Sequence, residues 1–194
     1  MEIQGNCDHN FTEVKELFES LHSSGREVGS SFAVYKNGKP IIDIWGGYTD
    51  KRKTIPWNQN SLATVWSTTK GVAAITCALA VEKGLLDYEE KVSHYWPEFG
   101  CNGKEDITVG MLLSHQAGIC GSATNDVKDY YNQNTMAEEL AAMKPIWEPG
   151  TASGYHSMTY GWLTSELIIR VTGKTLGAFY ADEIGNPNEI DFFI

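Results

Sequence analysis

Cations are scarce in this chain: 15 lysines and arginines stand against 25 acidic residues, leaving a net charge of −10. A surface this acidic argues against nucleic acid as a partner, because phosphate binding needs clustered cations to displace counterions. No apolar run approaches the ~20 residues that span a bilayer, so no membrane span is expected. The opening MEIQGNCDHNFTEVKELFES has neither the basic start nor the apolar core of a signal peptide. That start points to a cytoplasmic chain, and the four cysteines (Cys7, Cys77, Cys101, Cys120) are then expected as free thiols. They form no Cys-x-x-Cys pair, and the five histidines (His9, His22, His94, His115, His156) show no metal-ligand spacing. A Gly-x-Ser-x-Gly elbow, a His-Glu-x-x-His, a Walker loop and a Gly-x-Gly-x-x-Gly after a strand are all missing. No metal and no cofactor is therefore expected.

What is present is globular: 42% hydrophobic residues, 21% charged, 19 glycines and 6 tryptophans over 194 residues, enough for one domain with a sizeable core. Phe11, Val14, Leu17, Phe18 and Leu21 recur at helical spacing and predict a helix from about residue 11 to Ser23-Ser24-Gly25. Asn10 reads as its N-cap, with Glu13 completing a capping box. Asn10-Phe11-Thr12 also fits a glycosylation acceptor, a pattern without weight in a chain lacking an export signal. In SSFAVYKNGKPIIDIWGGYTD, two β-branched and aromatic runs flank Asn37-Gly38, a strong hairpin signal. Pro40 should begin the second strand or place it at an edge. Two strands are not stable alone, so a third strand or a covering helix must complete them.

From residue 61 onward the chain reads as helical. Ser67–Lys83 is rich in Ala, Val, Leu and Ile and stops at Gly84. Thr108 opens a short helix, VGMLLSHQ, ended by Ala117-Gly118. A more polar helix covers about 126–143, Trp147 to Thr151 form a turn, Thr159–Val171 a helix stopped by Gly173, and about 174–184 a last one. The chain is expected to be one incomplete domain: about 1–60 an N-terminal helix and hairpin, about 61–194 a mostly helical part. Its end on Ile190-Asp191-Phe192-Phe193-Ile194 reads as the start of an element, which suggests a fragment or truncated product.

Within VWSTTKGVAA, Ser67 and Lys70 are three apart at a helix start. Positions i and i+3 share a helix face, so the Lys70 ammonium can lie beside the Ser67 hydroxyl. A serine needs a neighbouring base to become a nucleophile, and a helix N-terminus favours an oxyanion. Taken alone, the tetrapeptide fits a serine cap with a solvated lysine on the first turn better than it fits a nucleophile with its base.

Its surroundings narrow the choice. Downstream, in order, stand Val81-Glu82-Lys83-Gly84-Leu85-Leu86-Asp87, Tyr95-Trp96-Pro97-Glu98-Phe99, Leu112-Leu113-Ser114-His115-x-Ala117-Gly118-Ile119, Glu148-Pro149-Gly150-Thr151, Tyr155-His156-Ser157, Tyr160-Gly161-Trp162-Leu163 and Val171-Thr172-Gly173-Lys174. From about residue 30 to the C-terminus this succession resembles the serine β-lactamase-related family: class C β-lactamases, penicillin-binding-protein-like peptidases, related esterases and animal β-lactamase-domain proteins. The resemblance implies an α/β fold of the β-lactamase/transpeptidase type, here an N-terminal hairpin and a mostly helical region without the C-terminal strands of the sheet. It also implies Ser67 as acylated nucleophile, Lys70 as its partner and Tyr155 as general base. Ser157 stands where β-lactamases carry a substrate-binding Asn; a hydroxyl there suits the esterase-like branch better. Lys174-Thr175-Leu176-Gly177 follows a helix stop and does not match the family's Lys-Thr-Gly strand. His115 is expected to bond backbone carbonyls, not to shuttle protons.

The implied function is serine-dependent hydrolysis of a small ester or amide through an acyl-enzyme, esters ahead of β-lactams, weak or absent in the truncated form. The alternative is a non-catalytic scaffold or inactive isoform that keeps the family fold.

Overall fold

The computed structural model describes residues 2–194 apart from 123 and 125, and the chain divides into two units, Met1–Thr64 and Val65–Ile194. In the first unit, Asn37 and Gly38 both take positive φ (52° and 72°), the requirement of a tight hairpin turn whose twist matches its strands. The turn joins β2 (Gly29–Lys36) to β3 (Lys39–Gly47), and Pro40 falls near the start of β3. A bulge between Val34 and Tyr35 lies beside it.

The sheet holds a strand that the sequence reading misses. β1 (Gln4–Cys7) pairs antiparallel with β3, giving the order β1-β3-β2 and making β3 central. Along β3, Ile42 and Ile44 are buried and Asp43 between them is exposed, the alternation of a strand covered on one face. That face meets Ile3 of the amino-terminal segment and Val14 and Phe18 of α1 (Thr12–Ser23). Both forms of support that a two-stranded hairpin needs are therefore present. The cap differs from expectation: Asp8, not Asn10, accepts a backbone N–H, and it caps a short 3₁₀ turn over His9–Phe11. Phe11 then occupies the N-cap of α1 without a side-chain bond, so no capping box forms.

The second unit is helical, with α2 (Thr68–Glu82), α3 (Val92–Tyr95), α4 (Val109–Leu113), α5 (Gln133–Ala142), α6 (Thr159–Thr172) and α7 (Leu176–Tyr180). Three of these are shorter than their apolar pattern suggests, each for a local reason. Helix α4 ends at Ser114 because His115 turns to φ +65°. The start of α5 is set by Asn132, which caps Thr135 N–H, and a 3₁₀ turn precedes it. Helix α7 is capped by Thr175, whose side chain accepts from Ala178 N–H, and beyond Tyr180 it passes into a π turn. The Lys174-Thr175 pair is thereby explained structurally, since Lys174 bonds Asp182 at 2.9 Å.

Helix α6 is the spine of this unit. Leu163 and Leu167 join a core with Trp96, Phe99, Leu112 and Leu140. Tyr160 and Ile168 join a second core with Ala73, Cys77, Leu176 and Phe179. Buried on both flanks, α6 fixes α2 against α5 and with them the start of α2, where Ser67 lies. Burial raises the Cys77 thiol to about 12, and all four cysteines are free. Among the described residues no helix is long and apolar enough to cross a membrane, and no three His, Cys, Asp or Glu cluster as metal ligands.

Leu163 is fully buried, so Leu163→Ala should lower unfolding stability by about 2–5 kcal/mol through lost burial and a residual cavity. Urea titration followed by circular dichroism measures it; a loss under about 1 kcal/mol would contradict the placement of α6 in the core.

Candidate active site

Ser67 sits at the N-cap position of α2 but does not cap it. Its backbone is αR (φ −70°, ψ −8°), and no side-chain cap bond forms. The first N–H groups of the helix are met instead by loop carbonyls: Thr68 N–H donates to Val65 O and Thr69 N–H to Trp66 O, each at 3.1 Å. The Ser67 hydroxyl is left to Lys70, whose Nζ donates to Oγ at 3.2 Å. Of the two uses that Ser-x-x-Lys permits, the geometry holds the paired one. Among the described residues, no group accepts the Ser67 backbone N–H.

The turn into α2 is strained. Trp66 has φ +49°, a conformation that a bulky side chain rarely adopts and that costs about 1–3 kcal/mol. The residue is 83% exposed, so packing does not repay that cost.

Tyr155 comes to the same place from a distant segment. Its ring lies under Lys70, with Nζ 5.1 Å from the centroid. The nearby Ser67 hydroxyl, and with it the Lys70 ammonium, hold the Tyr155 phenol below the ordinary tyrosine value. Ser67, Lys70 and Tyr155 thus converge, while Ser157 lies on the wall of the adjoining cleft. That cleft, of about 470 Å³, is lined by Ser67, Lys70, Ser157 and apolar groups including Trp66, Met158 and Leu176.

What carries Tyr155 there is backbone pairing between segments 114–119 and 146–156. Ile146 N–H donates to Gly118 O (3.0 Å), Gly150 N–H to Gln116 O (3.1 Å) and Gly154 N–H to His115 O (3.0 Å). His156 is buried and locks the far end: its Nε2 accepts Ile119 N–H at 3.2 Å and its Nδ1 faces Gly154 O at 2.7 Å. Gly154 must lack a side chain, since a Cβ there would run into the Trp147 ring.

His115 departs from expectation. Among the described residues its ring bonds no carbonyl; Nδ1 accepts the backbone N–H of His156 at 3.2 Å. The ring stands 5.2 Å from that of Tyr155 and 4.8 Å from that of Tyr160. Burial, and then the Lys70 charge, hold His115 below the ordinary histidine value. The sequence flags this histidine only as a helix end, because its contact with Tyr155 depends on a positive φ that no spacing rule announces.

The family model described as Beta-lactamase matches residues 14–193. The chain belongs to the beta-lactamase family. It is 38% identical over 189 residues to the esterase/beta-lactamase LipL of Mycobacterium tuberculosis, covering 97% of this chain and 44% of LipL. A crystal structure of a family VIII carboxylesterase superposes with TM-score 0.88 at 43% identity, covering 96% of this chain and 52% of the other. A penicillin-binding protein homolog from Caulobacter crescentus superposes with TM-score 0.93 at 37% identity, covering all of this chain and 53% of that one. The chain therefore spans about half the length of these relatives. The β-lactamase/transpeptidase-like α/β fold is that of its solved neighbours.

Two outcomes test this geometry. Lys70→Met removes a charge that favours the Tyr155 phenolate, so the Tyr155 titration moves to higher pH; difference absorbance of the phenolate, with Tyr155→Phe as blank, measures it, and an unmoved midpoint refutes the pairing. Trp66→Gly relieves the positive φ at the cost of chain entropy, which at an exposed position leaves thermal stability unchanged or raised. A large drop in the melting midpoint would show that the Trp66 conformation is not strained.

Proposed function

We propose that this chain supplies the acylating centre of a serine hydrolase acting on small, uncharged esters. One observation carries the reading: the Ser67 hydroxyl, unused as a helix cap, accepts from Lys70 Nζ at 3.2 Å, and the same Nζ stands 5.1 Å from the centroid of the Tyr155 ring. The phenolate form of Tyr155, favoured by Lys70, takes the Ser67 proton as Oγ attacks the substrate carbonyl. The Ser67 N–H at the head of α2 is available to the developing oxyanion, where a positive helix end also favours charge. Tyr155 returns the proton to the departing alkoxide, leaving an acyl-Ser67 ester and a free alcohol. A water, deprotonated by Tyr155 in turn, attacks that ester and releases the carboxylic acid. No step calls for a metal or cofactor.

The apolar wall of the cleft favours a short acyl group, and Ser157, on the same wall, has a shorter reach for a substrate amide than an Asn would have. Esters are accordingly placed ahead of β-lactams, in keeping with relatives named as an esterase/beta-lactamase and a carboxylesterase. The two units are proposed to be parts of one domain, supported by the family match running across both.

The test is labelling by a fluorophosphonate probe, applied to the 194-residue chain and to the product of the full reading frame that encodes it. Labelling is expected in the latter and weak or absent in the former if the two differ. It should be lost on Ser67→Ala and reduced by about 10²-fold or more on Tyr155→Phe. A folded full-frame product that never labels supports the scaffold alternative and ends the enzyme reading. Hydrolysis of p-nitrophenyl acetate is expected to exceed that of a chromogenic cephalosporin; the reverse order overturns the substrate assignment.

A further inference from the structure

His115 holds Tyr155 from both sides. Its carbonyl accepts the N–H of Gly154 at 3.0 Å, and its Nδ1 accepts the N–H of His156 at 3.2 Å. Gly154 and His156 are the two neighbours of Tyr155, so a single residue bonds the backbone N–H of the residue before the tyrosine and that of the residue after it. The imidazole also packs beside the Tyr155 ring it straddles, centroid to centroid 5.2 Å. A neutral histidine with Nδ1 accepting carries its proton on Nε2, so the clamp requires one tautomer.

The backbone at this position serves the same end. At φ +65° the chain reverses after α4, letting the carbonyl and the ring of one residue reach the same segment. Histidine, like asparagine, is among the few side chains found there with any frequency.

We propose that His115 is a positioning residue for the acylation step: its carbonyl and Nδ1 together fix the Tyr155 backbone so that the phenol meets Ser67 and Lys70. The inference rests on the serine hydrolase reading. It gives His115 no proton to move to or from substrate. Charged and titratable groups face the imidazole from each element around it: Lys70 on α2, Tyr155 and His156 on the paired segment, and Tyr160 on α6. Protonating Nδ1 would remove the acceptor and add a cation near Lys70. Burial and Lys70 both oppose that, keeping the clamp closed at neutral pH.

Asparagine and glutamine separate the roles. In His115→Asn, Oδ1 can occupy the place of Nδ1, and the residue accepts a positive φ. In His115→Gln the oxygen lies one methylene further and misses the His156 N–H. Using the full-frame product and the fluorophosphonate probe, the Asn variant should label within about threefold of the parent, at the same pH midpoint. The Gln variant should label at least about tenfold more slowly, the cost of a base displaced by a fraction of an ångström to an ångström. Its midpoint should also move to higher pH, because a Tyr155 released from Ser67 and Lys70 loses the contacts that favour its phenolate. Melting curves of both variants establish that they are folded. Equal rates and equal midpoints for Asn and Gln overturn the clamp, whatever their common value. A parent that never labels, or a Ser67→Ala variant that still does, instead overturns the hydrolase reading on which the clamp rests.

Discussion

The site depends on one short backbone ladder, in which residues 114–119 accept and donate hydrogen bonds along residues 146–156. Neither segment is a strand of the sheet. Each bond of this kind contributes about 0.5–1.5 kcal/mol net, but leaving its buried donors unmet would cost more. Once α4 and α6 are seated in the core, the intervening chain can satisfy its polar groups by running alongside the 114–119 segment. That path ends with the Tyr155 ring under Lys70. The meeting of Tyr155 with Lys70 is in this sense a by-product of backbone satisfaction.

Much of this was legible in sequence, for reasons that differ element by element. The Asn37-Gly38 turn is a local requirement on φ and reads directly. Helices α2 and α6 read from apolar content and their glycine stops. β1 did not, because Gln4-Gly5-Asn6-Cys7 has no alternating apolar residues; it is held by hydrogen bonds to β3 that leave no compositional trace. Asp8 and Asn10 are both competent caps, and only the fold decides between them. Lys104 is an instructive omission: its polar surroundings suggest a solvated lysine, yet it is fully buried, donating to Cys101 O and Met143 O.

At the site, Ser67 and Lys70 are near enough in sequence for helical geometry to pair them. Tyr155 was reachable only through the order of landmarks that resembles a known family, since no local rule connects it with Ser67. His115 shows the limit of both routes. Its place at a helix end was visible, but the use of its ring follows from a reversal of the chain that packing enforces after the helix has ended.

The free state of the Ser67 side chain has a consequence for how fold and chemistry are divided in this molecule. A serine at a helix start ordinarily contributes about 0.5–2 kcal/mol as a cap, and its loss would weaken the helix and the reaction together. Here the carbonyls of Val65 and Trp66 hold the first helical amides, so the hydroxyl is nearly free of structural duty. Strain at Trp66 is the counterpart of that arrangement, because turning its carbonyl onto Thr69 is what relieves the serine. Selection for stability alone would be almost indifferent to that one oxygen atom.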